Sequence, residues 1–458
     1  MNADQRLGIL FRYEGYDIDA AAGLLACRYS VDGRNFEERI TLSLDGNWNS
    51  PAVRAAARLV FLLAGVSYYK TAAPEVIDLG DTAITGPERD FLREFYLEGL
   101  GEFGYRNGID LSGLRIEAPS LPAQAAVPAP VPATRALVPF GGGIDSIVTV
   151  ELVRPRADTA LFVVSRPGDR FAAIERPAAV AGLPVIRAER EIDPALLRSK
   201  ELGFLNGHVP VTGILSAIAV LAAALDGRDA VVMSNEWSSS VPTLEFRGQP
   251  INHQYSKSAS FEAGFRDVLA GSATVTPDYF SLLRPRTELW VAERFAGLTK
   301  YHDTFRSCNR AFHIDKRLRL DHWCGHCDKC CFIDLILAPF MPAAELERIF
   351  AGGDLPASPD SREPLADQAQ ADRFRTLLGT SATDKPFECV GEVNECRAAT
   401  LLAAQRDDRA ESKLLQELAA EVAALPDAPS AVMPAELLRP VGQHFIPAPF
   451  ATEDLTTR

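Results

Sequence analysis

The stretch that decides the fold is residues 136–146, ALVPFGGGIDS. The apolar run Ala136 to Phe140 predicts a short buried strand, and the apolar run Ser146 to Val153 predicts the helix that follows. The glycines between them, Gly141 to Gly143, let the backbone turn tightly and bring its N–H groups close to an anion. The start of the helix adds the positive end of its dipole. The stretch therefore predicts a phosphate-binding loop.

Two polar residues complete this loop. Ser146 offers a further hydrogen-bond donor, and Asp145 can hold a metal ion or orient a group near the phosphates. The Gly-Lys-Ser/Thr ending of a Walker loop is missing, and the glycine spacing differs from the dinucleotide-binding fingerprint. A plain glycine turn with a helix cap is the alternative. The predicted ATP-binding residues are Gly141, Gly142, Gly143, Asp145 and Ser146.

Strand and helix signals alternate beyond the loop. Apolar runs at Ala160–Ser165, Pro184–Ile186 and Ala230–Met233 predict strands, and Thr212–Leu225 predicts an apolar helix. This alternation predicts an α/β fold, a doubly wound parallel sheet covered on both faces. Ligands of such sheets bind at the carboxyl ends of the strands, where the loops 141–146 and 234–240 fall.

The sequence divides into four predicted segments. They are an N-terminal α+β domain (1–116), an Ala/Pro-rich linker (117–134), the nucleotide-binding domain with a cysteine cluster (135–350) and a helical C-terminal tail (351–458). Within the first segment, strands are predicted at Ile9–Tyr13, Leu24–Val31 and Glu38–Leu44, and helices at Ala52–Leu63 and Gly86–Leu97. Further on, Pro277–Met341 is predicted to be mostly helical, and Arg397–Leu425 to be one charged helix.

Composition limits the classes of partner. The formal net charge is −14, from 47 basic and 61 acidic residues, which argues against a nucleic-acid partner bound through a broad basic surface. The sequence contains no apolar run of about 18 residues, so we expect no membrane span. Residues 1–6, MNADQR, lack the basic-then-apolar order of a signal peptide, so a cytoplasmic protein is expected.

Half of the eight cysteines lie within residues 324–331, CGHCDKCC, which points to a metal and not to a disulfide framework. The two-residue gaps between Cys324, Cys327 and Cys330 suit a thiolate-binding ion such as zinc. Cys308, 16 residues upstream (324 − 308), is the expected fourth ligand, and His322, His326 or Cys331 could replace it. Zinc would be structural, because three or four thiolates leave no open position for catalysis. Buried cysteines without metal are the alternative.

The glycine loop resembles the PP-loop of the ATP pyrophosphatase superfamily, Ser-Gly-Gly-x-Asp-Ser, with Gly141 in place of the leading serine. That resemblance implies the adenine nucleotide alpha hydrolase-like form of the α/β fold. It also implies that pyrophosphate leaves and a substrate oxygen is adenylated. The cysteine cluster downstream is similar to the zinc site of 7-cyano-7-deazaguanine synthase, a member of the same superfamily.

Further blocks follow in order: 234–239 (SNEWSS), 252–258 (NHQYSKS) with 261–262 (FE), 283–289 (LRPRTEL), 337–341 (LAPFM) and 385–391 (KPFECVG). Together they resemble the MurL family, epimerases of UDP-N-acetylmuramoyl-L-alanyl-L-glutamate in peptidoglycan biosynthesis. The resemblance implies an isomerase that uses ATP and Mg²⁺ to invert the terminal L-Glu of UDP-MurNAc-L-Ala-L-Glu. The reaction would pass through an acyl-adenylate and release AMP and pyrophosphate.

Elementary chemistry supports that order of steps. A proton on the carbon beside a free carboxylate is very hard to remove, because the carbanion would carry adjacent negative charge. Adenylation neutralises the carboxylate and acidifies the proton, so a base can remove it and an acid can return one to the other face. The candidates for this proton transfer are His253, Tyr255, Lys257, Glu388 and Cys389.

Substrate contacts are expected from five residues. Arg284 and Arg286, together with Lys257, could bind the glutamate carboxylate or the phosphates of the sugar nucleotide. Asn235 and Glu236 follow a predicted strand and are expected at the same edge of the sheet. For the charged residues, a solvated surface position is the alternative.

Three other functions use part of the same pattern. A 7-cyano-7-deazaguanine synthase-like adenylating ligase would need the loop and the cysteines, but not residues 1–116 or the long tail. A tRNA-modifying PP-loop enzyme is disfavoured by the charge of −14 and by the lack of interleaved arginines and aromatic residues. A nucleotide-binding module without catalysis would need none of the later blocks.

Overall fold

A computed structural model describes residues 8–123, 125–127, 134–313, 315–352, 362–381, 387–388, 390–426 and 434–456. Its strands are β1 (Leu10–Asp19), β2 (Leu24–Val31), β3 (Arg34–Leu42), β4 (Val76–Asp78), β5 (Arg115–Glu117), β6 (Arg135–Pro139), β7 (Asp158–Ser165), β8 (Val185–Glu191), β9 (Ala230–Met233), β10 (Leu244–Phe246), β11 (Gln249–Ile251) and β12 (Asp278–Ser281). Within these ranges β10 and β11 form a separate hairpin, and the other ten strands form one sheet.

The helices cover both faces of this sheet. They are α1 (Pro51–Ala64), α2 (Val66–Tyr69), α3 (Gly86–Gly99), α4 (Gly101–Asn107), α5 (Ile144–Val153), α6 (Ala172–Ala181), α7 (Pro194–Leu197), α8 (Val211–Leu225), α9 (Ala259–Ala270), α10 (Glu288–Ala296), α11 (Asp328–Leu337), α12 (Ala343–Phe350), α13 (Ala371–Leu378), α14 (Val393–Ala404) and α15 (Lys413–Ala423). Short helical turns follow at Pro434–Leu437 and Glu453–Thr456.

Half of the sheet is parallel and doubly wound. Its strands lie in the order β12-β9-β6-β7-β8, and each neighbouring pair is parallel. The chain starts in the middle at β6, runs outward through β7 and β8, and then returns to β9 and β12. The direction of winding therefore reverses between β6 and β9, and ligands of open α/β sheets bind at such a switch point.

The other half of the sheet is mixed and continues directly from β8. Strand β3 pairs with β8 in antiparallel register, with Arg39 opposite Glu191 and Leu42 opposite Ala188. Antiparallel pairing joins β3, β2 and β1, and parallel pairing then adds β4 and β5. The α/β class is thus confirmed, with a mixed, mostly parallel sheet. Since one sheet includes strands from both sides of residues 117–134, the predicted division into four segments stays a prediction.

Side-chain alternation along the strands fills two cores. Ala136 and Val138 of β6 contribute to the core on one face, and Leu137 to the core on the other. Helices α5, α10 and α11 belong to the first core, and α1 and α8 to the second. Among the described residues one helical stretch, Pro51–Tyr69, is long and apolar enough to span a membrane, but its most apolar window is 78% buried inside the protein. It is a core helix on the same face as α8.

Two expectations about the second half of the chain are wrong. Pro277–Met341 contains the buried strand β12, and only α10 and α11 are longer helices within the described part of this stretch. The sequence of β12, DYFS, does not look like a buried strand, because it begins and ends with a polar residue. Both of these residues are buried with hydrogen-bond partners: Arg266 donates to Asp278 (2.7 Å), and the Ser281 hydroxyl donates to the Asn235 carbonyl (2.7 Å).

The expected single helix Arg397–Leu425 is divided into α14 and α15. The chain leaves the helix at residues 405–412 because Asp408 accepts a hydrogen bond from the Ala343 N–H (2.9 Å) and Arg406 donates to the Pro339 carbonyl (3.0 Å). Both bonds are tertiary contacts to the segment around the start of α12, and helical periodicity alone carries no sign of them.

Candidate functional site

A cavity of about 610 Å³ lies at the carboxyl ends of β6, β7 and β9, where the sheet reverses its winding. Its lining includes Phe140 after β6, Phe162 and Val164 of β7, and Ser234 and Asn235 after β9. The hydroxyl oxygen of Ser234 is buried there without a hydrogen-bond partner among the described residues. The position of the cavity is the one that the strand order predicts for a ligand.

The glycine loop forms one wall of the cavity. Gly142 has φ +77°, and a Cβ atom there would lie 2.1 Å from the carbonyl oxygen of Ala173 in α6, so only glycine fits. Gly143 occupies the N-cap position of α5, where it offers no side chain to cap the helix. The Ser146 hydroxyl donates to the Gly143 carbonyl (3.1 Å) and stabilises the turn from inside. Gly141 has open space around it, because a Cβ atom added there would have no neighbour within 4 Å among the described residues.

Three carboxylates lie close together here, one of them from the loop itself. Ligand oxygens of Asp145, Glu236 and Glu288 all lie within 4.8 Å of one another. Glu288 is 4% exposed, and its Oε2 atom has no hydrogen-bond partner within the described part of the chain. Burial raises the pKa of Glu288, and the nearby charges of Asp145 and Glu236 raise it further. Three crowded carboxylates suit a hard divalent cation such as Mg²⁺.

The cysteine cluster lies next to the same cavity. The Sγ atoms of Cys308, Cys324, Cys327 and Cys330 all lie within 4.8 Å of one another, with 3.6 Å between Cys324 and Cys330 and 3.4 Å between Cys327 and Cys330. Four thiolates around zinc at about 2.3 Å would be roughly 3.8 Å apart. Gly325, with φ +75°, makes the turn between Cys324 and Cys327. The structure thus brings together the four predicted ligands, and their donor set fits zinc.

Basic residues that neighbour the cysteines in sequence line the cavity. Arg306 lies two residues before Cys308, and Lys329 lies between Cys327 and Cys330. The positive charge of Lys329 lowers the pKa of Glu288, but burial raises that pKa by more. The cysteine cluster therefore fixes the backbone from which positive side chains reach the cavity wall.

Another wall carries a histidine paired with a carboxylate. His253 lines the cavity, and its Nδ1 atom lies 2.5 Å from Oε2 of Glu102 in α4. The ring of His208 lies beside that of His253, with 4.3 Å between ring centroids. The pKa of His208 is lowered to about 4, mainly by burial and next by the charge of His253. Glu102 and His208 come from parts of the chain far from the loop, and no local sequence signal marks either of them.

The other predicted proton-transfer residues differ in position. Lys257 and Glu388 line the cavity, and Glu388 accepts a hydrogen bond from the Asn309 amide (2.9 Å). Tyr255 is instead 4% exposed and donates to Glu94 (3.1 Å), while burial raises its pKa strongly. Tyr255 is not among the described residues that line the cavity. Cys389 lies outside the described residues.

Of the predicted substrate-binding residues, Asn235 lines the cavity and Glu236 belongs to the carboxylate group behind it. Arg284 is 1% exposed, and its guanidinium donates to Glu262 (2.9 Å), to the Glu236 carbonyl (2.9 Å) and to the Lys257 carbonyl (2.6 Å). It therefore holds the loops that carry the site, and it is not among the described residues of the cavity wall.

Arg286 is buried as well. It donates to the Leu438 carbonyl (2.8 Å) and stacks on the Trp290 ring, 4.9 Å from its centroid. The structure does not support the predicted contact of Arg284 and Arg286 with substrate. Both lie in the block 283–289, which also contains Glu288. A carboxylate oxygen of Glu288 lies within 4.8 Å of one of Asp145, and sequence reasoning did not select this residue.

The fold and the cavity define an α/β protein of the doubly wound class, with a glycine loop and a helix N-terminus at the switch point of the sheet. Family models narrow this class: the MurL N-terminal domain matches residues 2–282, and the MurL C-terminal domain matches residues 304–432. Together they cover most of the chain. The protein belongs to the MurL family.

Curated relatives agree with the family models. A protein of Xanthomonas oryzae pv. oryzae is 38% identical over 444 residues, covering 95% of each chain, and one of a Micromonospora species is 39% identical over 458 residues, covering 96% of each. A third, from Salinispora tropica, is 38% identical over 452 residues, covering 96% of this chain and 94% of the relative. Each relative is named UDP-N-acetyl-alpha-D-muramoyl-L-alanyl-L-glutamate epimerase.

Proposed function

We propose that the protein is a cytoplasmic, ATP-dependent epimerase that inverts the terminal L-Glu of UDP-MurNAc-L-Ala-L-Glu. The observation that carries the proposal is the similarity to three epimerases of that name over at least 95% of this chain. The family model that matches residues 2–282 includes nearly all of the segment 1–116, which neither a deazaguanine-synthase-like ligase nor a tRNA-modifying enzyme would need. The cavity at the switch point is the place where the reaction would occur.

The first chemical step is adenylation of the glutamate α-carboxylate. A carboxylate oxygen attacks the α-phosphorus of ATP, the bond to the bridging oxygen breaks, and pyrophosphate leaves. The loop Gly141–Gly143 would hold the phosphates through its backbone N–H groups, as a PP-loop does. Lys329 and Arg306, which line the same cavity, would offset the charge of the departing pyrophosphate.

Mg²⁺ would bind at the group of three carboxylates, to which the loop contributes Asp145. Asp145, Glu236 and Glu288 would supply its ligands, and the crowding of these three acidic side chains is the observation that favours an ion there. When bound, such an ion neutralises charge on phosphate oxygens. Glu236 is therefore assigned to the metal, and Asn235 stays the residue proposed to contact substrate.

The second step is the exchange of the Cα proton. With the carboxylate converted to a mixed anhydride, a basic residue of the cavity wall removes the proton and an acid returns one to the opposite face. Water then cleaves the acyl–phosphate bond and yields the D-Glu product and AMP. Of the residues predicted for proton transfer, His253, Lys257 and Glu388 line the cavity.

The direct test supplies the purified protein with UDP-MurNAc-L-Ala-L-Glu and Mg-ATP. We expect AMP to form and the glutamate released by acid hydrolysis to contain the D-enantiomer. UDP-MurNAc-L-Ala, which lacks the glutamate, is the control and should give no AMP above background. Glutamate that remains wholly L, with no AMP formed, would contradict the proposal.

Zinc is proposed as a structural ion held by Cys308, Cys324, Cys327 and Cys330. We expect about one zinc per chain by elemental analysis, and Cys324→Ser should release it and lower the thermal unfolding midpoint. Cys331→Ser is the matched control, because Cys331 is adjacent and buried but outside the four-sulfur group. Purified protein with far less than one zinc per chain, or equal zinc loss in both variants, would rule out this ligand set.

A further inference from the structure

We propose that His253 is the base that removes the Cα proton on one face of the substrate, and that Glu102 of α4 positions and charges it. This inference rests on the proposed epimerase function and assigns a task within it. It also gives a catalytic task to the N-terminal half of the sheet, since Glu102 lies before the predicted linker. Three side chains carry the inference: His253, Glu102 and His208.

The first observation is the contact between His253 and Glu102. Nδ1 of His253 lies 2.5 Å from Oε2 of Glu102, and Glu102 is 5% exposed. The other carboxylate oxygen accepts a hydrogen bond from Arg106, four residues later on α4 (2.5 Å). Burial raises the pKa of Glu102, but its hydrogen bonds with His253 and Arg106 outweigh that effect and keep the pKa below its usual value. Glu102 is therefore an ionised carboxylate, which accepts a hydrogen bond from the Nδ1–H group of His253.

This contact determines the tautomer of His253. Because Nδ1–H donates to Glu102, the basic lone pair of the neutral ring is on Nε2. A ring held in this way removes a proton through Nε2, and the imidazolium that forms is stabilised by the adjacent carboxylate. The same division of roles is found wherever a carboxylate orients a histidine base.

The backbone around His253 is also fixed. The Asn252 side chain donates to the Ser239 carbonyl (2.9 Å) and accepts from the Gln254 N–H (2.8 Å). The His253 N–H donates to the Thr243 hydroxyl (3.4 Å). These bonds tie the histidine to the segment after β9, which carries Asn235 at the cavity. The base and the proposed substrate contact are thus held by one connected loop.

His208 is the third member of the group. Its ring lies against that of His253, and its Nδ1 atom is 3.9 Å from Oε2 of Glu102. Its low pKa, caused mainly by burial, keeps it neutral at physiological pH. A neutral neighbour adds no positive charge that would oppose protonation of His253. Glu102, His208 and His253 also have the donor atoms for a metal ion, but the direct 2.5 Å contact between Nδ1 and Oε2 favours a hydrogen-bonded pair.

The proton balance requires a second group. His253 takes the proton from Cα on one face, and inversion requires a proton to arrive on the other face. Lys257 and Glu388 line the same cavity, and either can deliver a proton acquired from water. His253 returns its own proton to solvent before the next turnover.

The test separates adenylation from proton transfer in the full-length protein. Exchange of labelled pyrophosphate into ATP, dependent on the dipeptide substrate, measures adenylation. Deuterium incorporation at Cα in D₂O measures proton transfer. For His253→Ala we expect exchange within a few-fold of wild type and deuterium incorporation reduced by about 100-fold or more, as for loss of a general base.

Glu102→Gln tests the positioning role through the pH profile. Within the described part of the chain, Glu102 and His208 contact His253, Arg106 pairs with Glu102, and the charges of Lys257 and Lys70 act on His208. Loss of the Glu102 charge removes stabilisation of the imidazolium, so the acidic limb of the profile of kcat should move to lower pH. The rate on the plateau should fall about 10-fold to 100-fold. A change in folding alone would not move the limb.

Glu345→Gln is the control, because Glu345 makes a similar contact to His302 (3.1 Å to Nδ1) among residues that do not line the cavity. Pyrophosphate exchange and deuterium incorporation in Glu345→Gln should both match the wild-type rates. Equal losses of exchange and deuterium incorporation in His253→Ala, or an unmoved acidic limb in Glu102→Gln, would overturn the inference. So would a second metal ion per chain that His208→Ala removes. Wild-type protein without any substrate-dependent exchange would instead refute the proposed function.

Discussion

Gly142→Ala is expected to abolish ATP-dependent turnover, with at least about a 100-fold loss of both AMP formation and epimerisation. The added Cβ atom would lie 2.1 Å from the backbone carbonyl oxygen of Ala173, which no side-chain rotation can relieve. The backbone at φ +77° adds a cost of roughly 1–2 kcal/mol for a residue with a Cβ atom. The loop must therefore move away from α6, and a displacement of about 1 Å at a reacting group costs on the order of 100-fold in rate.

Gly141→Ala is the matched control one residue earlier. A Cβ atom there has no described neighbour within 4 Å, so this variant should fold and turn over at close to the wild-type rate. Steady-state AMP formation and the thermal unfolding midpoint, measured on both variants, provide the comparison. Similar activity in the two variants would show that the conformation of this loop does not govern catalysis. Gly141→Ser, which supplies the hydroxyl of the PP-loop pattern, should also be accommodated.

The features that sequence reasoning located are those encoded by neighbouring residues. The glycine loop is contiguous, and three of the four clustered cysteines lie close together in sequence, so their spacing predicted their geometry. Cys308 was added as the fourth ligand by distance along the chain, and it lies with the other three. The alternation of β6, α5 and β7 is likewise local, and the predicted strand at 230–233 coincides with β9.

The features that sequence reasoning missed depend on contacts between distant segments. Glu102 reaches His253 across 151 residues of chain, and no periodic pattern connects them. Arg284 and Arg286 looked like substrate ligands because arginines often bind anions, yet neighbouring carbonyl groups already engage them. The continuation of the sheet from β8 to β3 is a long-range antiparallel pairing, which separate strand signals cannot reveal.

Asp145→Asn should reduce AMP formation by about 100-fold or more at the Mg²⁺ concentration that gives the wild-type protein half of its maximal rate. The variant removes one of three carboxylates that would hold the ion, and each factor of ten in rate corresponds to about 1.4 kcal/mol of lost transition-state stabilisation. Measurement of rate against Mg²⁺ concentration should show a shifted midpoint as well as a lower maximum. Glu151→Gln, on the same helix but not at the cavity, should change neither.

Glu288→Gln tests Mg²⁺ binding by the three carboxylates through the thermal unfolding midpoint, without any measurement of catalysis. Burial and two neighbouring carboxylates raise the pKa of Glu288 above its value in the unfolded chain. An acid whose pKa is raised on folding binds its proton more tightly in the folded state, so ionisation destabilises the fold as pH rises above the unfolded value. At neutral pH without Mg²⁺, the glutamine should therefore raise the unfolding midpoint.

Added Mg²⁺ should then stabilise the wild-type protein, because the ion binds only the folded state, and it should stabilise Glu288→Gln much less. The substitution should thus raise the unfolding midpoint without Mg²⁺ and reduce the stabilisation that Mg²⁺ gives. A general change in packing cannot produce both effects. A variant that unfolds at a lower temperature than wild type without Mg²⁺, and that gains as much from the ion, would remove Glu288 from the metal site. In that case protonation alone would relieve the repulsion among the three carboxylates. Asp145 would then act on the nucleotide without help from Glu236 and Glu288.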